Sequence, residues 1–392
     1  MSDKLPHLRL KKGRDKRVRT GHPWVFSNEL QEVPDLPPGG LAVLDDPAGE
    51  VLGVGYFNPG TLIAFRWLQR GVDHLPEGWL EERIGAAHAS RVRLYPAEDC
   101  CRIVFGEADG LPGLIVDRYG DALVVQSMTA GMEAFLPRIE SALDTLFDPG
   151  VLVLKNDGRM RDLEGLPRSV EIRKGTAGDV HVDYLGLALD VSLDEGQKTG
   201  LFLDQRENVR SFVAHLEPGG SVLDVFAYLG VWGMSALKAG AASADFVDAS
   251  LPACRRVDAA LKANAMPDCA IHNGDAFDVL RALRREGRTF DAVVVDPPAF
   301  AKARKHLPEA VKAYGRLNEL AMALVAPGGL LVSCSCSHHL SREALREILG
   351  GAAARAGREA VLLETRGQAP DHPVLLNFPE GDYLKAFFLR LR

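Results

Sequence analysis

The run Val293-Val294-Val295-Asp296-Pro297-Pro298-Ala299-Phe300 is an apolar stretch of strand length that stops abruptly on an acid and two prolines. A short apolar run bounded by turn residues is the pattern of a strand buried on both faces. A second run answers it later in the chain: Leu330-Leu331-Val332-Ser333-Cys334-Ser335-Cys336-Ser337-His338-His339. In open parallel sheets ligands bind at the carboxyl ends of the strands, so chemistry is expected at these two ends. One offers a carboxylate, the other a thiol.

Working outward, strand and helix patterns alternate. Leu203 to Leu216 reads as helix, Ser221 to Phe226 as strand, Gly233 to Ala239 as helix, Ala244 to Asp248 as strand and Ala253 to Ala265 as helix. The alternation continues through Asp291 to Val295, Val311 to Val325 and Gly329 to Ser333. It predicts an α/β fold with a Rossmann-like, doubly wound parallel sheet.

The first strand of that series runs into Asp224-Val225-Phe226-Ala227-Tyr228-Leu229-Gly230-Val231-Trp232-Gly233. This turn lacks the GxGxxG spacing and the GK[ST] of pyrophosphate binders. A sulfonium nucleoside carries no phosphate, so a looser turn bearing an acid suits S-adenosylmethionine better than NAD. A dehydrogenase is the competing reading. Asp248, ending the next strand, is placed to accept both ribose hydroxyls. Asp275, after the third, is placed to accept from the adenine amino group. Each aspartate alone is an ordinary strand-end or turn residue; the ordered set points to a class I methyltransferase.

The N-terminal half has a different texture. From Leu8 to about Leu68, short apolar runs are broken by turns such as Pro37-Pro38-Gly39-Gly40 and Asn58-Pro59-Gly60, which predicts a small β-rich module. Residues 1–20 carry eight basic side chains against two acidic ones, although the whole chain has a net charge of −7. Lys11, Lys12, Arg14, Lys16 and Arg17, with Trp24 and Phe26 nearby, suit RNA backbone contact and base stacking. A solvated basic terminus beside core aromatics fits the same residues. Residues 79–95 have helical spacing and are expected to link two domains. The strands from Ile103 to Val125, a helix from Met132 to Phe147 and a strand at Val151 predict a second, α+β domain, closed by a hairpin through Leu185-Gly186.

At 392 residues, 46% hydrophobic and 25% charged, the chain is expected to be a multi-domain globular protein. It lacks a run of about 18 apolar residues, and its basic start has no apolar core of the kind a secretory signal needs, so a cytoplasmic protein without membrane contact is expected. Six cysteines with no CxxC pair suggest neither a disulfide framework nor a zinc site. His338 and His339 beside a thiol invite a hydrolase reading, but no oxyanion turn accompanies them.

The order Glu195-Gly196-Gln197-Lys198-Thr199-Gly200-Leu201-Phe202-Leu203-Asp204-Gln205-Arg206, the Asp224 turn, Asp248, Asp275, Asp296-Pro297-Pro298-Ala299-Phe300 and Ser335-Cys336-Ser337 resembles the bacterial 23S ribosomal RNA cytosine-5 methyltransferase I family. Gly21-His22-Pro23-Trp24, Glu107-Ala108-Asp109-Gly110, Asp371-His372-Pro373 and Tyr383-Leu384-Lys385 extend the resemblance over essentially the whole chain. It implies a PUA domain for RNA over 1–72, a central α+β domain over 73–190 and a Rossmann-like methyltransferase domain over 191–392. It implies rRNA or a large-subunit assembly intermediate as substrate, and it leaves a homodimer open. Gln197, Lys198, Thr199, Phe202, Asp204 and Arg206 resemble the segment that closes over the cofactor, with Arg206 facing either the methionine carboxylate or Asp204. Phe226, Tyr228, Gly230 and Asp296 join Asp224, Asp248 and Asp275 as cofactor-site residues.

Carbon 5 of cytosine is a poor nucleophile, and a thiolate adding to carbon 6 raises its electron density. Asp296 would hydrogen-bond the ring as the thiolate adds. Strand alternation puts Cys334 and Cys336 on the same face and cannot choose between them. The resemblance selects Cys336, which also lies further past the strand end. A guanine methyltransferase of the same RNA, which needs no cysteine, and a non-catalytic RNA-binding assembly factor are the alternatives.

Overall fold

The computed structural model describes residues 4–392 except 177, 195, 197 and 302. The chain folds as two compact units. Met1–Val182, Val191–Leu201 and Pro370–Gly381 form one; Asp183–Asp190, Phe202–Ala369 and Asp382–Arg392 form the other. The chain thus passes between them several times, not once near residue 190. No helix among the described residues is long and apolar enough to cross a membrane.

The second unit is built on seven strands: β1 (Ser221–Val225), β2 (Ser243–Asp248), β3 (Ala270–Asn273), β4 (Phe290–Val295), β5 (Val325–Ser335), β6 (Ala360–Arg366) and β7 (Lys385–Leu391), in the order β3-β2-β1-β4-β5-β7-β6. β1 to β5 run parallel. The doubly wound parallel sheet expected from sequence carries one antiparallel strand near its edge, where β7 enters between β5 and β6 and runs antiparallel to both. No helical crossover leads from β6 to β7, so β7 returns in the opposite sense. Val293, Val294 and Val295 are fully buried, as a strand covered on both faces requires. Leu280 and Leu283 from helix Ala276–Arg285, and Tyr314 and Leu317 from helix Leu307–Met322, share a core with Val293 and Val295.

The first unit contains two five-stranded sheets. In one, Gly40–Asp45, Val51–Phe57 and Ile63–Arg70 form an antiparallel meander, flanked by His7–Arg9 and Trp24–Phe26. Gly55 is required there because a Cβ would strike the ring of Phe65 and the backbone of Arg66. The other runs Ser169–Lys174, Val151–Asn156, Ala122–Ser127, Leu114–Tyr119, Cys100–Phe105. Helix Trp79–Leu94, expected as a linker, is instead part of this layer: Leu80, Ile84 and Ala87 bury one helical stripe in the core with Ile103, Val116 and Ile139.

Charge fixes what apolar packing leaves loose. Arg91 grips Asp109 through two bonds of 2.7 Å and also donates to the Asp371 carbonyl at 3.0 Å. Arg102 makes a second bidentate pair with the fully buried Asp117, at 2.8 and 2.7 Å. Thr199 donates to the same carboxylate at 2.6 Å, and the Leu201 amide donates to the Tyr119 hydroxyl at 3.1 Å, which ties segment Val191–Leu201 into this unit.

Removing one partner of a buried pair leaves the other charge uncompensated, at about 3–5 kcal/mol. Asp117→Ala is therefore expected to lower the urea midpoint of the first unit's unfolding by an amount of that order, whereas Arg138→Ala, at the exposed pair with Glu81, leaves it essentially in place.

Candidate active site

The site grows from the end of β1. Asp224 is fully buried, and its Oδ2 accepts the Gly233 amide at 3.0 Å. Among the described residues its Oδ1 has no hydrogen-bond partner. Burial pushes this carboxyl up to about 7; the Gly233 N–H opposes that rise, and the charges of Asp296 and Asp248 add to it. The turn that follows is strained: Phe226 and Tyr228 adopt φ of 68° and 51°, in the left-handed region that side chains disfavour, and Gly230 adopts 72°. Amides of Phe226 and Ala227 hold the turn by donating to the Val247 carbonyl at 2.9 and 3.0 Å.

Asp248, half-buried at the end of β2, accepts the Tyr228 amide on one oxygen at 2.9 Å and the Ser250 amide on the other at 2.8 Å. Its carboxylate is thereby oriented, with acceptor capacity left on both oxygens. Asp275 lies two residues beyond β3 rather than at its end. Exposed, it caps helix Ala276–Arg285 by accepting the Phe277 and Asp278 amides. The Phe202 ring meets Tyr228 edge to face at 5.3 Å, and Asp204 accepts the Tyr383 hydroxyl at 2.5 Å. Arg206 is fully buried over the ring of Tyr184, 5.1 Å away. A buried carboxylate oxygen without a partner, an oriented acceptor pair and an aromatic wall fit a nucleoside-bearing cofactor such as S-adenosylmethionine.

The two strand ends that opened the sequence reading are neighbours. β4 and β5 pair in parallel with Val295 opposite Ser333, so Asp296 leaves the sheet at the level of Cys334, and Cys336 leaves it two residues further on, after Ser335. The Cys336 thiol points to the Pro297 carbonyl, 4.0 Å away. Pro297 and Pro298 lack amide hydrogens and stiffen this rim. Cys336 is half-buried, beyond the last residue of β5. Cys334 is completely buried within β5, and burial pushes its thiol well above the ordinary value. Phe300 packs on Tyr314, with ring centres 4.7 Å apart.

Three residues at this end received no role from the sequence. Gln205 donates to Asp296 at 3.0 Å and accepts from Asn208 at 2.5 Å; its place between Asp204 and Arg206 was the available signal. Lys385 donates to the Ser337 carbonyl at 2.7 Å. Tyr314 bonds both Ser335 and Ser337, and nothing distinguishes it in sequence from a core aromatic on an amphipathic helix.

Gln197 lies outside the described residues. Lys198 and Thr199 belong to the first unit, Lys198 exposed with φ of 50° and Thr199 buried in the Asp117 network, which accounts for Thr199 without a ligand. Also in the first unit, Lys12, Arg14 and Lys16 are exposed, and Lys11 reaches the Asn28 carbonyl at 3.0 Å. Arg17 is bridged to Glu29 at 2.7 Å and lies over Phe26. Trp24 donates to Glu107 at 2.7 Å and packs edge-on against Phe378. Arg17 and Trp24 thus have structural partners that the sequence did not reveal.

Residues 8–70 match the family model of a PUA-like domain, and residues 176–382 that of an S-adenosylmethionine-dependent methyltransferase. Over 393 aligned residues, proteins named ribosomal RNA large subunit methyltransferase I from Shewanella denitrificans and Shewanella amazonensis are 35% and 36% identical, covering 98% of this chain and 99% of each relative. Among solved structures, a Streptococcus mutans protein described as a SAM-dependent methyltransferase superposes with a TM-score of 0.83 at 18% identity, covering 98% of this chain and all of that one. A methyltransferase complexed with SAH gives 0.85 at 19% identity over the same shares. At these identities the two structures speak for the fold alone.

Asp224 has a consequence in pH. An unfolded aspartate titrates near roughly 3.9. Between there and about 7 the folded chain keeps a proton that the unfolded chain has released, so this group makes stability fall as pH rises through that window. Asp224→Asn is expected to match wild type near the bottom of the window and to be the more stable protein above its top, as read from urea midpoints across the range.

Proposed function

The chain belongs to the ribosomal RNA large subunit methyltransferase I family, and we propose that it methylates carbon 5 of a cytosine in 23S ribosomal RNA through a covalent adduct with Cys336. One observation carries the choice of atom: an accessible thiol stands at the β5 end beside the Asp296-Pro297-Pro298 turn, while the neighbouring Cys334 is sealed in the sheet. An amino-group or guanine methyltransferase has no use for a nucleophile there.

In this reading the Cys336 thiolate adds to carbon 6 of the base, and the electron pair of the carbon 5–carbon 6 double bond shifts onto carbon 5, delocalised through carbon 4 to the ring nitrogen. Asp296, held by Gln205 and carrying a proton, gives it to the ring nitrogen where that charge gathers and takes it back when the thiolate leaves. S-adenosylmethionine supplies the electrophilic methyl group that carbon 5 takes. A base then removes the carbon 5 proton, the double bond re-forms and the carbon–sulfur bond breaks, returning the thiolate. Asp248 is the acceptor for the ribose hydroxyls, with Asp224, Phe202, Phe226, Tyr228 and Gly230 around the rest of the nucleoside. Asp204 and Arg206 complete that cofactor set, and the exposed Asp275 faces the adenine amino group. Lys12, Arg14 and Lys16 serve as phosphate contacts on the PUA-like part.

Incubation of wild-type, Cys336→Ala and Cys334→Ala proteins with unmodified 23S rRNA and methyl-labelled S-adenosylmethionine tests this. Label is expected on cytosine, absent with Cys336→Ala, and retained within about tenfold with Cys334→Ala, whose cost is mainly stability, about 1 kcal/mol. Label on guanine, or full transfer by Cys336→Ala, contradicts the proposal; tight RNA binding without any transfer supports an assembly factor instead.

A further inference from the structure

Lys385 is a buried ammonium with no salt-bridge partner among the described residues. It opens β7, pairs across from Ser335 of β5, and is 4% exposed. Its Nζ donates to the Ser337 carbonyl at 2.7 Å, and among the described residues it makes no salt bridge. Asp382, the nearest acid in sequence, lies 3.8 Å from Arg342. A cation taken out of water without a counter-charge is costly, so sequences that keep one need an anion somewhere near it.

The turn that Lys385 binds is clamped around one reactive atom. The Tyr314 hydroxyl sits between Ser335 Oγ at 2.9 Å and Ser337 Oγ at 3.1 Å, and the Ser337 amide reaches Ser335 Oγ at 3.3 Å. Ser335, Ser337 and Tyr314 are all fully buried. Cys336, between the two serines, is the half-buried member and the one that carries a thiol.

We propose that Lys385 is a positioning residue that fixes the Ser335-Cys336-Ser337 turn and acts as the counter-cation of the Cys336 thiolate, so that the nucleophile is ionised before RNA arrives. The proposal rests on Cys336 being the nucleophile. Burial lowers the Lys385 ammonium to about 8, and the neighbouring Cys336 charge acts in the opposite direction, so the two groups are coupled. Among the other charged or titratable groups here are Asp382 and Arg342 acting on Lys385, Tyr314, Cys334 and Asp296 around the turn, and His338 and His339 just after it in the chain. Asp382 favours the ammonium and Arg342 opposes it. Asp296 and the buried Cys334 and Tyr314 offer no positive charge, whereas Lys385 is a cation bonded to the turn's own carbonyl.

The test is the pH profile of alkylation at Cys336 in the full-length protein, followed by iodoacetamide labelling and peptide mass spectrometry, for wild type, Lys385→Met and Lys385→Arg. An ordinary thiol titrates near roughly 8.5. Wild type is expected to titrate about one pH unit or more below that. Lys385→Met is expected to move the profile up by about one pH unit, near tenfold in rate at neutral pH, and Lys385→Arg to keep it low. A wild-type profile at the ordinary thiol value overturns the proposal even if Lys385→Met does not fold, and so does a profile unchanged in folded Lys385→Met. Loss of transfer in Cys336→Ala with an unchanged Lys385→Met profile overturns only the role of Lys385. Full transfer by Cys336→Ala overturns the nucleophile itself, whatever the profile.

Discussion

The pairing of β4 with β5 is the constraint on which the chemistry depends. Two parallel strands, buried on both faces and locked in register from Ala292 opposite Leu330 to Val295 opposite Ser333, bring their carboxyl ends to within two residues of one level, β5 running on to Ser335. Their carboxyl ends carry Asp296 and Cys336. A one-residue slip would turn each valine of β4 to the other face and move the acid away from the thiol. The apolar run that makes the strand is therefore also what sets the spacing of the reactive groups.

Around that pair the structure holds several groups against their intrinsic preferences. Among the described residues, Asp224 is buried with an oxygen left over, Phe226 and Tyr228 sit in left-handed backbone, and Lys385 is a buried ammonium without a salt bridge. Each costs stability and each lies within the second unit's sheet end. Such concentration of strain and unmet polarity is what a site prepared for a polar, partly charged ligand shows. The first unit pairs two of its buried arginines with carboxylates, Arg91 with Asp109 and Arg102 with Asp117, while its buried Lys155 donates to the Gly196 carbonyl.

The sequence made the strand ends, the Asp224 turn and the alternation of strand and helix legible, because apolar runs and turn residues are local signals. It did not reveal the antiparallel insertion of β7, since direction within a sheet depends on a chain return that no local pattern encodes. Helix Trp79–Leu94 read as a linker because its apolar stripe is narrow; only its partners show that it belongs to a core. Asp275 read as a strand end where it is a helix cap, a confusion of neighbouring roles for one residue type. Trp24 and Arg17 looked available for RNA until Glu107, Phe378 and Glu29, distant or unremarked in sequence, were found against them. The choice between Cys334 and Cys336, which alternation leaves open, turns on where β5 stops and how deeply each thiol is covered.

The central claim is that carbon 6 of the target base becomes bonded to Cys336. It is tested most directly by offering the protein S-adenosylmethionine and rRNA in which cytosine is replaced by 5-fluorocytosine, whose fluorine cannot leave as a proton does. The account predicts a denaturation-resistant RNA–protein complex whose nuclease-trimmed peptide carries the methylated nucleotide on Cys336. Turnover on normal RNA without such a complex, or an adduct on any other residue, would contradict it.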